Sequence, residues 1–156
     1  MDKTPIEMIR ILPDDDFRLA KIFVDLGGKL DCKSKVRFAP GHKTWKCVFS
    51  RKKPAKTLYT IDCTESRWQV KACLWNIDAY HDVLAKCSDN IKNTIIHGYD
   101  CKTCNTHCKG GAGFTFNNIR YQKCVGIVFV FSNLCEGDWN DLASLIVKEY
   151  EATCSV

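Results

Sequence analysis

Apolar residues along this chain follow two rhythms, and the switches between them lay out the elements. After the acidic run Asp14-Asp15-Asp16, Leu19, Ile22, Phe23 and Leu26 recur at helical spacing, and Gly27-Gly28 is expected to stop that helix. The acids suit its first turn, where carboxylates meet orphan N–H groups and the positive end of the helix dipole. The rhythm then becomes two. Residues 45–50, 57–63 and 67–75 predict three strands of a β-meander, joined at Arg51-Lys52-Lys53-Pro54 and at Thr64-Glu65-Ser66. Trp68, Val70, Ala72 and Leu74 fall on one face of the third strand.

Asp78 is placed to cap a helix carrying Tyr80, Val83 and Leu84, and Ser88 or Asp89 to begin another through Ile91, Ile95 and Ile96. Residues 99–113 read as a loop. Phe114-Thr115-Phe116, an Asn117-Asn118 turn suited to positive φ, and a strand from Ile119 predict a hairpin. The β-rich run 123–131 is expected to be a central strand covered on both faces. Asp138 caps a last helix lined by Trp139, Leu142, Leu145, Ile146 and Tyr150. The order predicts an α+β fold, with a mainly antiparallel sheet packed against N-terminal, middle and C-terminal helices.

Length adds that the 156 residues form one domain, with 1–98 as helix, meander and helix, and 99–156 as a subdomain of loop, hairpin and helix. The apolar runs are far too short to span a bilayer, and the first residues lack the apolar core of a secretory signal. A soluble, cytoplasmic protein is expected. Charge is uneven. From Lys29 to Lys56 ten Lys or Arg stand against Asp31 alone, whereas beyond Asn133 five acids face Lys148 alone. Such a basic stripe fits a polyanion partner such as nucleic acid, with Arg51, Lys52 and Lys53 as its contacts, or the solvated face of a small sheet.

Eleven cysteines change the picture most. An odd number without a signal peptide argues against a secreted disulfide framework. Cys32, Cys47, Cys63, Cys73, Cys87, Cys135 and Cys154 are scattered singly and read as small buried hydrophobes. Cys101 and Cys104 form a C-x2-C pair that turns two thiolates toward a single ion, and Cys108 adds a third. The hairpin carries the chain out and back, so Cys124 is chosen as fourth ligand, with His107 as its competitor. Four ligands would close a structural Zn²⁺ site; an iron–sulfur cluster is the less favoured occupant. Lys102, Lys109 and Lys123 would offset the charge of four thiolates. The alternatives are a reduced cysteine-rich loop and a Cys101/Cys104 redox pair.

Other chemistry is sparse. No phosphate loop, dinucleotide fingerprint, nucleophile elbow or H-E-x-x-H is present, and no catalytic residue is named. Trp45, Phe49, Tyr59, Trp68 and Trp75 all come from the meander and could line a pocket for a planar ligand, or serve as core.

The strands reading WKCVFS and KTLYTIDCTESRWQVKACLW resemble a bacterial family of small α+β domains of unknown function. The tail is similar to one in hypothetical proteins of clostridia and related anaerobes. It runs Cys101, Cys104, Cys108, then Phe114, Phe116, Tyr121 and Cys124, then Phe129, Phe131, Leu145, Ile146 and Glu149. The resemblance implies that Cys124 belongs to the cluster and adds no catalytic residue. The leading expectation is a non-enzymatic cytosolic module with a structural zinc site, binding a small molecule or protein. A thiol redox or metal-handling protein, and a nucleic-acid binder using the basic stretch 29–56, are the alternatives.

Overall fold

A computed structural model describes residues 2–102, 111–124 and 129–154. Its backbone is a five-stranded antiparallel sheet with strand order β1-β2-β3-β4-β7, plus a separate hairpin, β5-β6. The meander is β2 (Thr44–Arg51), β3 (Lys56–Cys63) and β4 (Trp68–Ala72), within a residue or so of the hydrophobic rhythm except where the third strand ends early. Two elements were not anticipated. Helix α1 (Pro5–Ile9) starts at Thr4, whose side chain accepts from the Glu7 N–H while Glu7 reaches back to the Thr4 N–H. Strand β1 (Lys33–Ala39) pairs with β2 and forms one edge of the sheet.

Helix α2 (Asp14–Lys29) runs through Gly27-Gly28 instead of stopping there. It ends at Lys29, and Asp31 just beyond takes positive φ; Asp31 and Cys32 donate N–H groups to the Gly28 and Gly27 carbonyls, satisfying the helix end. Gly27 serves packing: a Cβ there would strike the Phe49 ring and come within 3.0 Å of the Tyr59 hydroxyl. The helix therefore lies close on the sheet, and Tyr59 donates a hydrogen bond to the Phe23 carbonyl.

Helix α5 (Glu136–Cys154) packs beside α2. Asp138 lies in its first turn, where the carboxylate accepts from the Cys135 N–H (3.2 Å) and from the Asn90 side chain (3.0 Å). Phe23 and Trp139 make edge contact with ring centroids 5.7 Å apart, and Trp139 stacks on Trp68 at 4.3 Å. This aromatic group sits at the centre of one buried cluster that runs from Met8 to Ile146. Between β4 and the hairpin lie a 3-10 turn (Ile77–Tyr80) and the helices α3 (His81–Ala85) and α4 (Asp89–Ile96). Ser88 caps α4 by accepting from the Ile91 N–H. Asp78 is not a helix cap. Its carboxylate accepts from the Thr115 N–H and from Arg120, each at 2.9 Å, tying the hairpin to the 3-10 turn.

The hairpin joins β5 (Ala112–Phe116) to β6 (Ile119–Lys123) through Asn117 and Asn118, both at positive φ as their sequence predicts. The expected central strand over 123–131 is corrected. Lys123 ends β6, and β7 (Phe129–Phe131) is a short strand at the sheet edge, paired with β4. Phe129 and Phe131 are buried and Val130 between them is exposed, the alternation of a strand covered on one face. The fold class is α+β, as the rhythm predicts. Among the described residues no helix is long and apolar enough to cross a membrane.

Candidate functional site

The cysteine region is anchored by a short ribbon that continues the hairpin. Asp100 and Lys123 face one another across an antiparallel bridge; Cys101 donates its N–H to the Gln122 carbonyl, and Cys124 to that of Tyr99. Alternation along such a ribbon puts Cys101 and Cys124 on the same face as diagonal neighbours. Gly111 folds back over this base at positive φ, where a Cβ would collide with the Lys123 carbonyl and stand 3.4 Å from Cys101 Cβ. Lys123 lies on the other face and is 3 % exposed. Its Nζ donates to the Gly98 carbonyl (3.0 Å) and the Asp100 carboxylate (2.7 Å) and sits over the Tyr121 ring. That hydrogen bond, with the charge behind it, holds the Asp100 carboxyl below its ordinary value.

Cys104, Cys108 and the competitor His107 lie outside the described residues, as does Lys109. Among the described residues no group of three or more His, Cys, Asp or Glu is placed to hold a metal ion. Among the described residues eight cysteines are free thiols, with Cys47, Cys63 and Cys87 buried. Burial pushes Cys47 and Cys63 up to about 12, so these stay protonated core groups.

The five meander aromatics separate. Phe49 and Tyr59 are buried and stacked on each other, and Trp68 is buried against Trp139. Trp75 is half-buried, with Lys56 Nζ 4.6 Å above its ring. Trp45, also half-buried, pairs with Phe38 at 5.0 Å. It opens onto a groove of 840 Å³ whose walls include Ile11, Phe38, His42, Lys43 and Arg67. Phe38 is 45 % exposed, and Lys3 Nζ lies 4.8 Å from the Trp45 ring centroid. Three connections meet here: the α1–α2 link, the β1–β2 turn and the β3–β4 turn. Because Phe38 belongs to β1, a strand outside the expected meander, sequence spacing carries no sign of it as a partner of Trp45.

The basic hairpin also divides. Arg51 is 5 % exposed. It donates to the Tyr150 and Lys53 carbonyls and stacks its guanidinium over the Tyr150 ring at 4.7 Å, which makes it a strut between β2 and α5. Lys52 pairs with Asp31 at 2.8 Å, and Lys53 is exposed. The cations gather instead on the sheet face turned away from α2 and α5. By the strand register Lys33, Lys35 and Arg37 of β1 share that face with Lys46, Asp62 and Lys71. Asp62 is 4 % exposed and takes Lys46 at 3.2 Å, Lys71 at 3.0 Å and Gln69 at 3.2 Å. Burial alone would raise its carboxyl, but the hydrogen bonds from Lys71, Gln69 and Lys46 outweigh it and set the group below its ordinary value.

No protein-family model, curated protein or solved structure matches this chain.

Proposed function

We propose that this chain is a non-enzymatic binding module of a reducing, cytoplasmic setting, whose C-terminal part is organised by zinc held between Cys101, Cys104, Cys108 and Cys124. One observation carries the reading: Cys101 and Cys124 share a face of the ribbon, at a diagonal spacing of roughly 7–8 Å between backbones. Thiolates reaching about 2.3 Å from sulfur to zinc suit that span, and the C-x2-C-x3-C loop leaves from the same point. The free thiols elsewhere favour a compartment that keeps cysteine reduced. The ion would tie the loop to the strand after its hairpin and so hold the tail in one shape for a partner.

Elemental analysis of anaerobically purified protein tests this. Stoichiometric zinc, reduced in Cys124→Ser and removed by a chelator with loss of hairpin structure, is the expected result. Protein without metal overturns the reading, and undiminished affinity in Cys124→Ser reassigns the fourth position to His107 or another thiol.

A further inference from the structure

We propose that the open face of the five-stranded sheet binds the phosphate backbone of double-stranded nucleic acid, without regard to sequence. The register lays the residues of this face out in rows across the strands. Arg37, Lys46, Asp62 and Gln69 form one row, and Lys35, Val48, Thr60 and Lys71 the next; Lys33 stands opposite Ser50 in a third. Five cations thus share the face with one acid. Asp62 is taken by Lys46 and Lys71, which lie half-buried beside it. Lys33, Lys35 and Arg37 are exposed and have no acid partner among the described residues. They leave β1 at every second position and span roughly 14 Å. The trough they border has a volume of 490 Å³, and its walls include Val48 and Ser50.

Lysines on β1 alone would serve to keep a second strand from pairing with that edge. Lys46 and Lys71, however, stand on interior strands, where no edge needs protection. Arg37 and Lys46 also face one another directly, a like-charge pair of which Asp62 answers only the second. An anion lying over the pair would relieve it. The rest of the face selects the polyanion. It carries no aromatic ring, because Phe38 and Trp45 turn to the opposite, helix-covered side. A single strand therefore finds nothing here on which to stack its bases. A protein partner would ask for an apolar centre, and an anionic membrane for apolar side chains able to enter it. Among the described residues the one large exposed apolar side chain of this face is Val130, at the far edge on β7. A duplex needs neither. It carries about one charge per 1.7 Å of its axis on the outside, and contacts to that backbone are made by cations and carry no sequence information. The cations come from β1, β2 and β4, none of which bears a member of the thiolate cluster, so binding here needs no zinc.

Fluorescence anisotropy with a labelled mixed-sequence duplex tests this on the full chain. Dissociation constants on the order of 10–100 μM are expected near physiological salt, tightening as salt falls. A duplex of different sequence should bind equally, and the corresponding single strand more weakly. The triple variant Lys33→Gln/Lys35→Gln/Arg37→Gln should lower the salt slope by about 2–3. Lys43→Gln/Arg67→Gln, in the Phe38–Trp45 groove, and Lys52→Gln/Lys53→Gln, on the hairpin, should keep the slope of the unaltered chain. All of these side chains are exposed, and matching thermal melts would exclude misfolding as the cause. No duplex binding at low salt overturns the proposal, as does an equal loss of slope in all three variants, the mark of diffuse charge. Tighter binding to the single strand, or binding only to vesicles containing phosphatidylserine, would give the face another partner and overturn it too. So would a triple variant that keeps its slope but self-associates on size exclusion, which would leave the β1 cations as edge protection alone.

Discussion

Glu149 on α5 binds both nitrogens of Asn76: its carboxylate accepts from the backbone N–H at 2.8 Å and from the side-chain amide at 2.7 Å. The Tyr80 hydroxyl donates to the same carboxylate at 2.7 Å, and Glu149 is 1 % exposed. Burial, reinforced by the neighbouring carboxylate, pushes the Tyr80 hydroxyl upward, so it remains a donor at all ordinary pH. Three donors on one buried acceptor fasten the chain after β4 to the last helix. Glu149→Gln puts an amide donor where donors already point, and should cost about 2 kcal/mol in urea unfolding. Tyr80→Phe, which leaves the two Asn76 bonds in place, should cost less.

Asp62 should make part of the acid sensitivity. Its folded carboxyl lies below the ordinary value, so the ionised form stabilises the fold above the unfolded value near 3.9. That contribution fades as pH falls through the lower, folded value. Unfolding free energy measured between about pH 5 and pH 2 should therefore drop less steeply in Asp62→Asn than in the unaltered chain. Equal slopes would mean that the Lys46 and Lys71 contacts add no net preference for the charged form.

Adjacent glycines in α2 should respond in opposite directions to the same change. Gly27→Ala forces a methyl group into the Phe49 ring and should destabilise by about 1–3 kcal/mol. At Gly28 an added Cβ meets nothing within 4 Å, and Ala there should stabilise by about 0.5–1 kcal/mol. Thermal melts of the two variants would separate packing from backbone freedom.

Thiol labelling should follow burial. Cys47, Cys63, Cys73 and Cys87 are pushed by burial up to about 12, 12, 11 and 11, while Cys135 is exposed. Brief alkylation of native protein, read by mass spectrometry, should modify Cys135 and spare those four. If zinc occupies the tail, chelation should add Cys101 and Cys124 to the labelled set.

The parts legible in the sequence were those where one rhythm ran unbroken. Trp68, Val70, Ala72 and Leu74 are all buried because alternation fixes their face. Asn117-Asn118 and Ser88 carry their turn and cap in their own side chains. Strand β1 is not legible in the sequence because Val36 and Phe38 are its only large apolar residues, too few to set a period. Its pairing with β2 supplies what its composition does not. Gly27 reads as a stop signal locally, and only the aromatic rings beneath it show why the helix continues. Arg51 continues the Cys47, Phe49 phase of β2, so its inward turn follows the strand and not its charge. Of the thiolate cluster, Cys101 and Cys124 are brought to one ribbon, while Cys104 and Cys108 lie outside the described residues.

The stack of Trp68 on Trp139 also has an optical consequence. With ring centroids 4.3 Å apart and planes inclined by 26°, the two indoles are near enough for their transitions to couple. The pair joins the sheet to α5, so its circular-dichroism signal exists only while that helix is docked. Trp45 and Trp75 stand apart from it and would contribute ordinary, uncoupled bands. The molecule thus carries its own gauge of helix docking, which reads without any added label.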